Sequence, residues 1–173
     1  LTAFLTPIVL LASWGEVPAD RQDRFTGLVL VLESFVVVVF AARVCADDDY
    51  VAAVLAQEDR DGRFATEEAK QAGDSTRRLF LGIHRNQIQD EEQWLAKQVY
   101  LNMGFTLLAA AASGIDAVPM EGVDLQVLNE EFGLIEKGYK AVAVVSFGYR
   151  AADDFNAALP KSRFENEAIF TKI

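Results

Sequence analysis

Residues 90–122, DEEQWLAKQVYLNMGFTLLAAAASGIDAVPMEG, constrain this chain more than any other stretch. Asp90 can cap a helix while Gln93, three residues on, reaches back to it. Glu91 and Glu92 then occupy the first turn, where the positive end of the helix dipole favours them. From Trp94 onward the apolar residues do not keep to one face. Leu95, Val99, Tyr100, Leu101, Met103, Phe105, Leu107, Leu108 and Ala109 to Ala112 surround the axis. Such a helix is expected to be buried on most sides, and Gly114 supplies its C-terminal stop. A short apolar run from Ile115 to Met120 follows and closes on Glu121-Gly122. A central helix that hands the chain to a turn flanked by Pro and Gly is a place where a ligand can be positioned.

A chain of 173 residues has room for one domain, and at that length folding buries roughly 70% of the surface. Sixteen basic against 26 acidic residues give a formal charge of −10. Nothing resembles the basic stripe needed to displace counterions from phosphates, which excludes the usual nucleic-acid binder. The same balance opposes docking on an anionic membrane. Cys45 is the one cysteine, so there is no intrachain disulfide framework and no Cys-based metal cluster. A reducing cytoplasm is the simplest compartment. The chain opens on Leu1 rather than Met, and a fragment or a processed product is expected.

Residues 1–12 are short, apolar and interrupted by Pro7, without the basic segment or cleavage site of a signal peptide. Residues 28–46 are long enough to suggest a membrane span, but Glu33 and Arg43 oppose it. Residues 35–43, rich in Val, instead read as a strand covered on both faces. Asp47, Asp48 and Asp49 precede a helical run over residues 50–57 and read as helix-start acids rather than metal ligands. Residues 58–62, EDRDG, read as a polar turn. Thr66 opens a second helix to about Gln87, whose apolar marks are Ala69, Ala72, Leu79, Phe80 and Ile83. His84 lies on it among charged neighbours, with no Ser, Cys or Asp placed to form a triad. After the central helix, Asp124 caps a short helix over residues 125–132. Gly133 and Gly138 punctuate a loop, and residues 140–149 form a strand. Residues 151–173 hold no long periodic element and need something outside their own domain to pack on. Strands separated by helices, in a mixed order, indicate an α+β or α/β sandwich.

Neither a P-loop nor a strand-linked GxGxxG occurs, and HExxH and GxSxG are missing too. Two stretches remain. In Val118-Pro119-Met120-Glu121-Gly122, a Pro fixes the backbone and a Gly admits a close neighbour. Such a turn can aim N–H groups at a ligand acceptor, or simply join a strand to a helix. In Pro160-Lys161-Ser162-Arg163, two cations beside a rigid Pro suit a phosphate, or form a solvated basic turn.

From about Leu32 to Arg163, roughly three quarters of its length, the chain resembles the oxygen-insensitive NAD(P)H nitroreductase and flavin reductase family. The resemblance rests on ordered blocks. They are residues 57–59 (QED), 61–66 (DGRFAT), 96–102 (AKQVYLN), 116–119 (DAVP), 121–122 (EG), 132–134 (FGL), 136–139 (EKGY), 154–156 (DFN) and 159–163 (LPKSR). It implies an α+β fold with a central mixed sheet flanked by helices, in a single nitroreductase-like domain over residues 31–173. It also implies two interlocked subunits, with each FMN in a cleft at the dimer interface. Residues 1–30 are unlike any family segment and are expected to be an atypical segment from an incomplete or out-of-frame start. Pro119, Met120, Glu121 and Gly122 are then expected along the flavin, with backbone N–H near N5. Lys161 and Arg163 are expected on the phosphate. Phe80 is expected over the substrate cleft, although its position also suits a helix core. The long helix is expected at the dimer interface. The implied chemistry is ping-pong: NAD(P)H reduces FMN, which then reduces a nitroaromatic, a quinone or a free flavin. Gly27 and Leu30 stand where the family carries an Asn and a Lys on the flavin's polar edge, and Thr6-Pro7 is all that hints at a Gln-Pro-Trp stretch. A non-catalytic dimerising remnant of the fold is therefore the second reading.

Overall fold

The computed structural model describes residues 8–12 and 32–173, with side chains from residue 36 onward. Thr6, Pro7, Gly27 and Leu30 lie outside the described residues. In chain order the elements are β1 (Ile8–Ala12), β2 (Leu32–Arg43), α1 (Asp48–Arg60) and α2 (Glu67–Gly82), which runs into a π-helical turn (Ile83–Ile88). Then come α3 (Glu91–Ala112), β3 (Asp116–Met120), α4 (Leu125–Glu131), β4 (Tyr139–Arg150) and the short α5 (Asn166–Ile169). The strands form one sheet in the order β1-β2-β4-β3. The α+β architecture is as expected. The sheet differs in being antiparallel at all three described pairings rather than mixed.

Strand β2 explains the layering. Its alternate residues enter opposite cores, as a period of two requires. Val37, Val39 and Ala41 face a cluster with Leu128 and Leu134, supplied by α4 and the turn after it. Val36, Val38, Phe40 and Ala42 face a second cluster with Ala96, Val99, Met103 and Leu107 of α3. The Val-rich run thus reads correctly as a strand covered on both faces. In β4 the partners of Phe40 and Ala41 are Ala143 and Ala141, so Val142 is an extra residue. This bulge reverses the in–out alternation of β4, which puts Tyr139, Ala141 and Val144 on the α4 side. A third cluster (Ala46, Val51, Leu81 and Leu95) joins α1, α2 and the start of α3.

Most helix starts follow local chemistry. Asp47 accepts from the N–H of Tyr50, Thr66 from Ala69, and Asp124 from both Gln126 and Val127. The chain leaves α3 through Gly114 at φ 73°, a left-handed conformation that Gly adopts freely. Asp90 departs from expectation, because it precedes α3 without any side-chain cap bond. Its carboxylate Oδ1 lies 2.6 Å from His84 Nδ1 instead. The π-helical turn and Gln89, at φ 60°, bring His84 back over the helix start. His84 also stacks on Trp94 at 4.3 Å.

Two further expectations are corrected. Ala69, Ala72, Leu79 and Phe80 are exposed on α2, because the buried side of that helix consists of Arg77 and Leu81. Glu58 is not a turn residue: it ends inside α1 and is buried against Arg77. Among the described residues, no helix is long and apolar enough to cross a membrane. No group of three or more His, Cys, Asp or Glu there is placed to hold a metal ion.

Candidate functional site

The turn after β3 is built by its strand. Ala117 packs toward α3 and Met120 toward α4, while Pro119 sits exposed on the sheet's edge strand, opposite Val145. An edge strand tolerates Pro because its missing N–H leaves no ladder bond unmade. Glu121 and Gly122 then emerge into solvent, before Asp124 starts α4. Among the described residues, the N–H groups of Glu121 and Gly122 donate to no turn or loop carbonyl. A Cβ placed on Gly122 would meet nothing within 4 Å. Among the described residues, the turn thus offers donors with no turn or loop partner and an open approach.

Tyr100 of α3 stands beside the turn: the Glu121 carboxylate, helped by partial burial, pushes the phenol's pKa up to about 12. Tyr100 counts as one apolar residue among many in the sequence. The available signal was its hydroxyl, which needs a partner beside a packed surface.

The other expected site residues lie on separate elements. Phe80 is 52% exposed on α2 and is not part of the helix core. Lys161 and Arg163 are exposed on the segment after β4, where Arg163 donates to the Ser162 carbonyl at 2.6 Å. Among the described residues neither cation is ion-paired, so both remain available to an anion. No hydrogen bond there joins them to the Glu121-Gly122 turn or to Phe80. Pro119, Met120, Glu121 and Gly122 are contiguous, and the structure adds Tyr100 to them.

This donor set fits FMN in its parts. The open Gly122 and the N–H groups of the turn suit a planar ring edge that carries acceptor atoms. Two unpaired cations two residues apart suit a phosphate dianion.

Comparison with known proteins agrees with this fold. The family model described as Nitroreductase matches residues 48–149, which include the β3 turn. The chain is 52% identical over 143 residues to the oxygen-insensitive NAD(P)H nitroreductase of Salmonella typhimurium. That alignment covers 83% of this chain and 66% of the relative, so the chain spans just under two thirds of the relative's length. A nitroreductase-like protein from Streptococcus mutans shares the fold with a TM-score of 0.75 at 18% identity, covering 98% of this chain and 78% of the other. A protein of Exiguobacterium sibiricum, described as a nitroreductase and solved in complex with FMN, matches with a TM-score of 0.58 at 20% identity. It covers 81% of this chain and 63% of its own. On the extent of the family match, the chain belongs to the nitroreductase family.

Proposed function

We propose that this chain forms the greater part of an FMN-dependent oxidoreductase that draws on NAD(P)H and reduces nitroaromatics, quinones or free flavins. The observation that carries this reading is the β3 turn. It lies inside the family match, and beside its open glycine the N–H groups donate to no turn or loop carbonyl among the described residues. When bound, FMN would supply the redox chemistry, hydride acceptance from NAD(P)H and two-electron reduction of the acceptor in a ping-pong cycle. The protein binds and orients. Glu121 and Gly122 present backbone donors to the flavin edge, and Pro119 and Met120 set the strand that aims them. Lys161 and Arg163 take the phosphate, and Phe80 offers a ring face to a planar acceptor. No side-chain triad is needed for these tasks.

The functional unit is residues 31–173, and it works as a homodimer in the cytoplasm. Support for the dimer comes from apolar surface that one chain leaves uncovered, on α3 (Leu101, Phe105, Leu108) and along the tail (Phe155, Phe164, Phe170).

The test is flavin binding by the purified protein. Micromolar FMN should be bound, with quenched fluorescence and a shifted visible spectrum. Lys161→Ala with Arg163→Ala should weaken binding by about 2–4 kcal/mol, the scale of charge-assisted phosphate contacts. A protein that leaves FMN fluorescence unquenched is instead the dimerising remnant. Unchanged affinity in the double variant removes those two cations from the site.

A further inference from the structure

We propose that Arg150 is a positioning residue for the phosphate-binding cations. Clamped onto Asp116, it fixes where and in which direction the chain leaves the sheet, and hydrogen-bonded turns carry that direction to Lys161 and Arg163. The inference rests on the FMN reading above.

The clamp is unusually complete for the protein's surface. Arg150 is the last residue of β4 and Asp116 the first of β3. The register pairs Asp116 with Gly148, two residues before Arg150. The backbone N–H and the side-chain Nε of Arg150 both donate to Asp116 Oδ2, each at 3.0 Å. Its Nη2 donates to Oδ1. One carboxylate therefore fixes main chain and side chain of the same residue, using the planar fork that only Arg provides. Exposed ion pairs contribute little to global stability, so what this arrangement contributes is direction.

That direction is handed on without a gap. The N–H of Asp154 donates to the Ala151 carbonyl, that of Ala157 to Asp154, and that of Leu159 to Asn156. The Asn156 N–H also donates to Asp154 Oδ1 at 2.9 Å. These overlapping turns span residues 151–159, and Pro160 then fixes the backbone immediately before Lys161. Apolar packing within the chain is not what holds the segment, since Phe155 and Leu159 are both exposed. The Asp116 clamp also raises the pKa of the Arg150 guanidinium, and Asp154, on the first turn, adds to that rise.

FMN and riboflavin differ only in the phosphate, which gives a readout that mere loss of structure would not reproduce. Dissociation constants for both are measured on the full chain by fluorescence quenching, together with the thermal midpoint of the flavin-free protein. In Arg150→Gln the FMN constant should rise about tenfold, one charge-assisted contact's worth of misplacement. The riboflavin constant should stay near that of the unaltered protein, and the thermal midpoint should barely move. Asp116→Asn should behave alike, and the two together should be no worse than either alone. Equal weakening of FMN and riboflavin overturns the proposal, because the damage is then general. An unchanged FMN-to-riboflavin ratio in Arg150→Gln overturns it too, if Lys161→Ala with Arg163→Ala abolishes that ratio. If the Lys161/Arg163 variant itself keeps the ratio, the phosphate site is misassigned and both readings fall.

Discussion

Glu58 and Arg77 meet at 2.5 Å with both side chains about nine-tenths buried, and Arg63 approaches Glu58 from its exposed side at 3.5 Å. Charges removed from water this far are costly, and their mutual attraction repays the cost only while both are present. Glu58→Ala should therefore destabilise by about 3 kcal/mol in urea unfolding, whereas Glu58→Leu with Arg77→Met should recover most of that loss. A single variant costing under about 1 kcal/mol would show that water reaches the pair. No local pattern announces this contact, because 19 residues separate the partners. Read locally, the residues around Glu58 look like a polar turn. Asp90 shows the same limit: its position before α3 is that of a cap, yet its carboxylate is taken by His84. Where the partner is a neighbouring N–H, as for Asp47, Thr66 and Asp124, the sequence sufficed.

Helix α3 buries one flank and exposes another. Leu95, Val99 and Ala110 are buried, while Leu101, Phe105 and Leu108 project into solvent, Phe105 at 74%. Apolarity all round the axis led to an expectation of burial on most sides, but within one chain only the sheet-facing flank is covered. The pattern records every surface the helix meets, whether its own sheet or another molecule, and periodicity alone does not separate the two. Phe105→Glu should therefore convert the proposed dimer to monomer, measured by light scattering, while leaving the far-ultraviolet circular dichroism unchanged. A dimer that survives places the interface elsewhere. The β3 turn was legible as a turn because Pro and Gly mark it directly. Its neighbour Tyr100 was not, since a tyrosine in an apolar helix counts first as packing.

At the scale of the molecule, 26 acidic residues set the response to pH. Glu91 is held below the usual carboxylate range by Arg85 foremost, and it also accepts the Ala46 N–H. It therefore binds protons more weakly folded than unfolded. Its stabilisation is present above the unfolded pKa near 4 and is lost as pH falls through the lower folded value. The thermal midpoint should thus decline from about pH 5 downward. Glu91→Gln should lower the midpoint at pH 7 and flatten that decline, and an unaltered slope would remove Glu91 from the linkage. The antiparallel core, with β2 against β4, has a consequence for synthesis. The two strands are joined across the whole helical middle of the chain, so the pairing closes late and at high entropic cost. A ribosome releases the Val-rich β2 long before Tyr139–Arg150 exists to cover its edge. For that interval the nascent chain carries a bare, aggregation-prone strand, and chaperone occupancy should be greatest before residue 150 emerges.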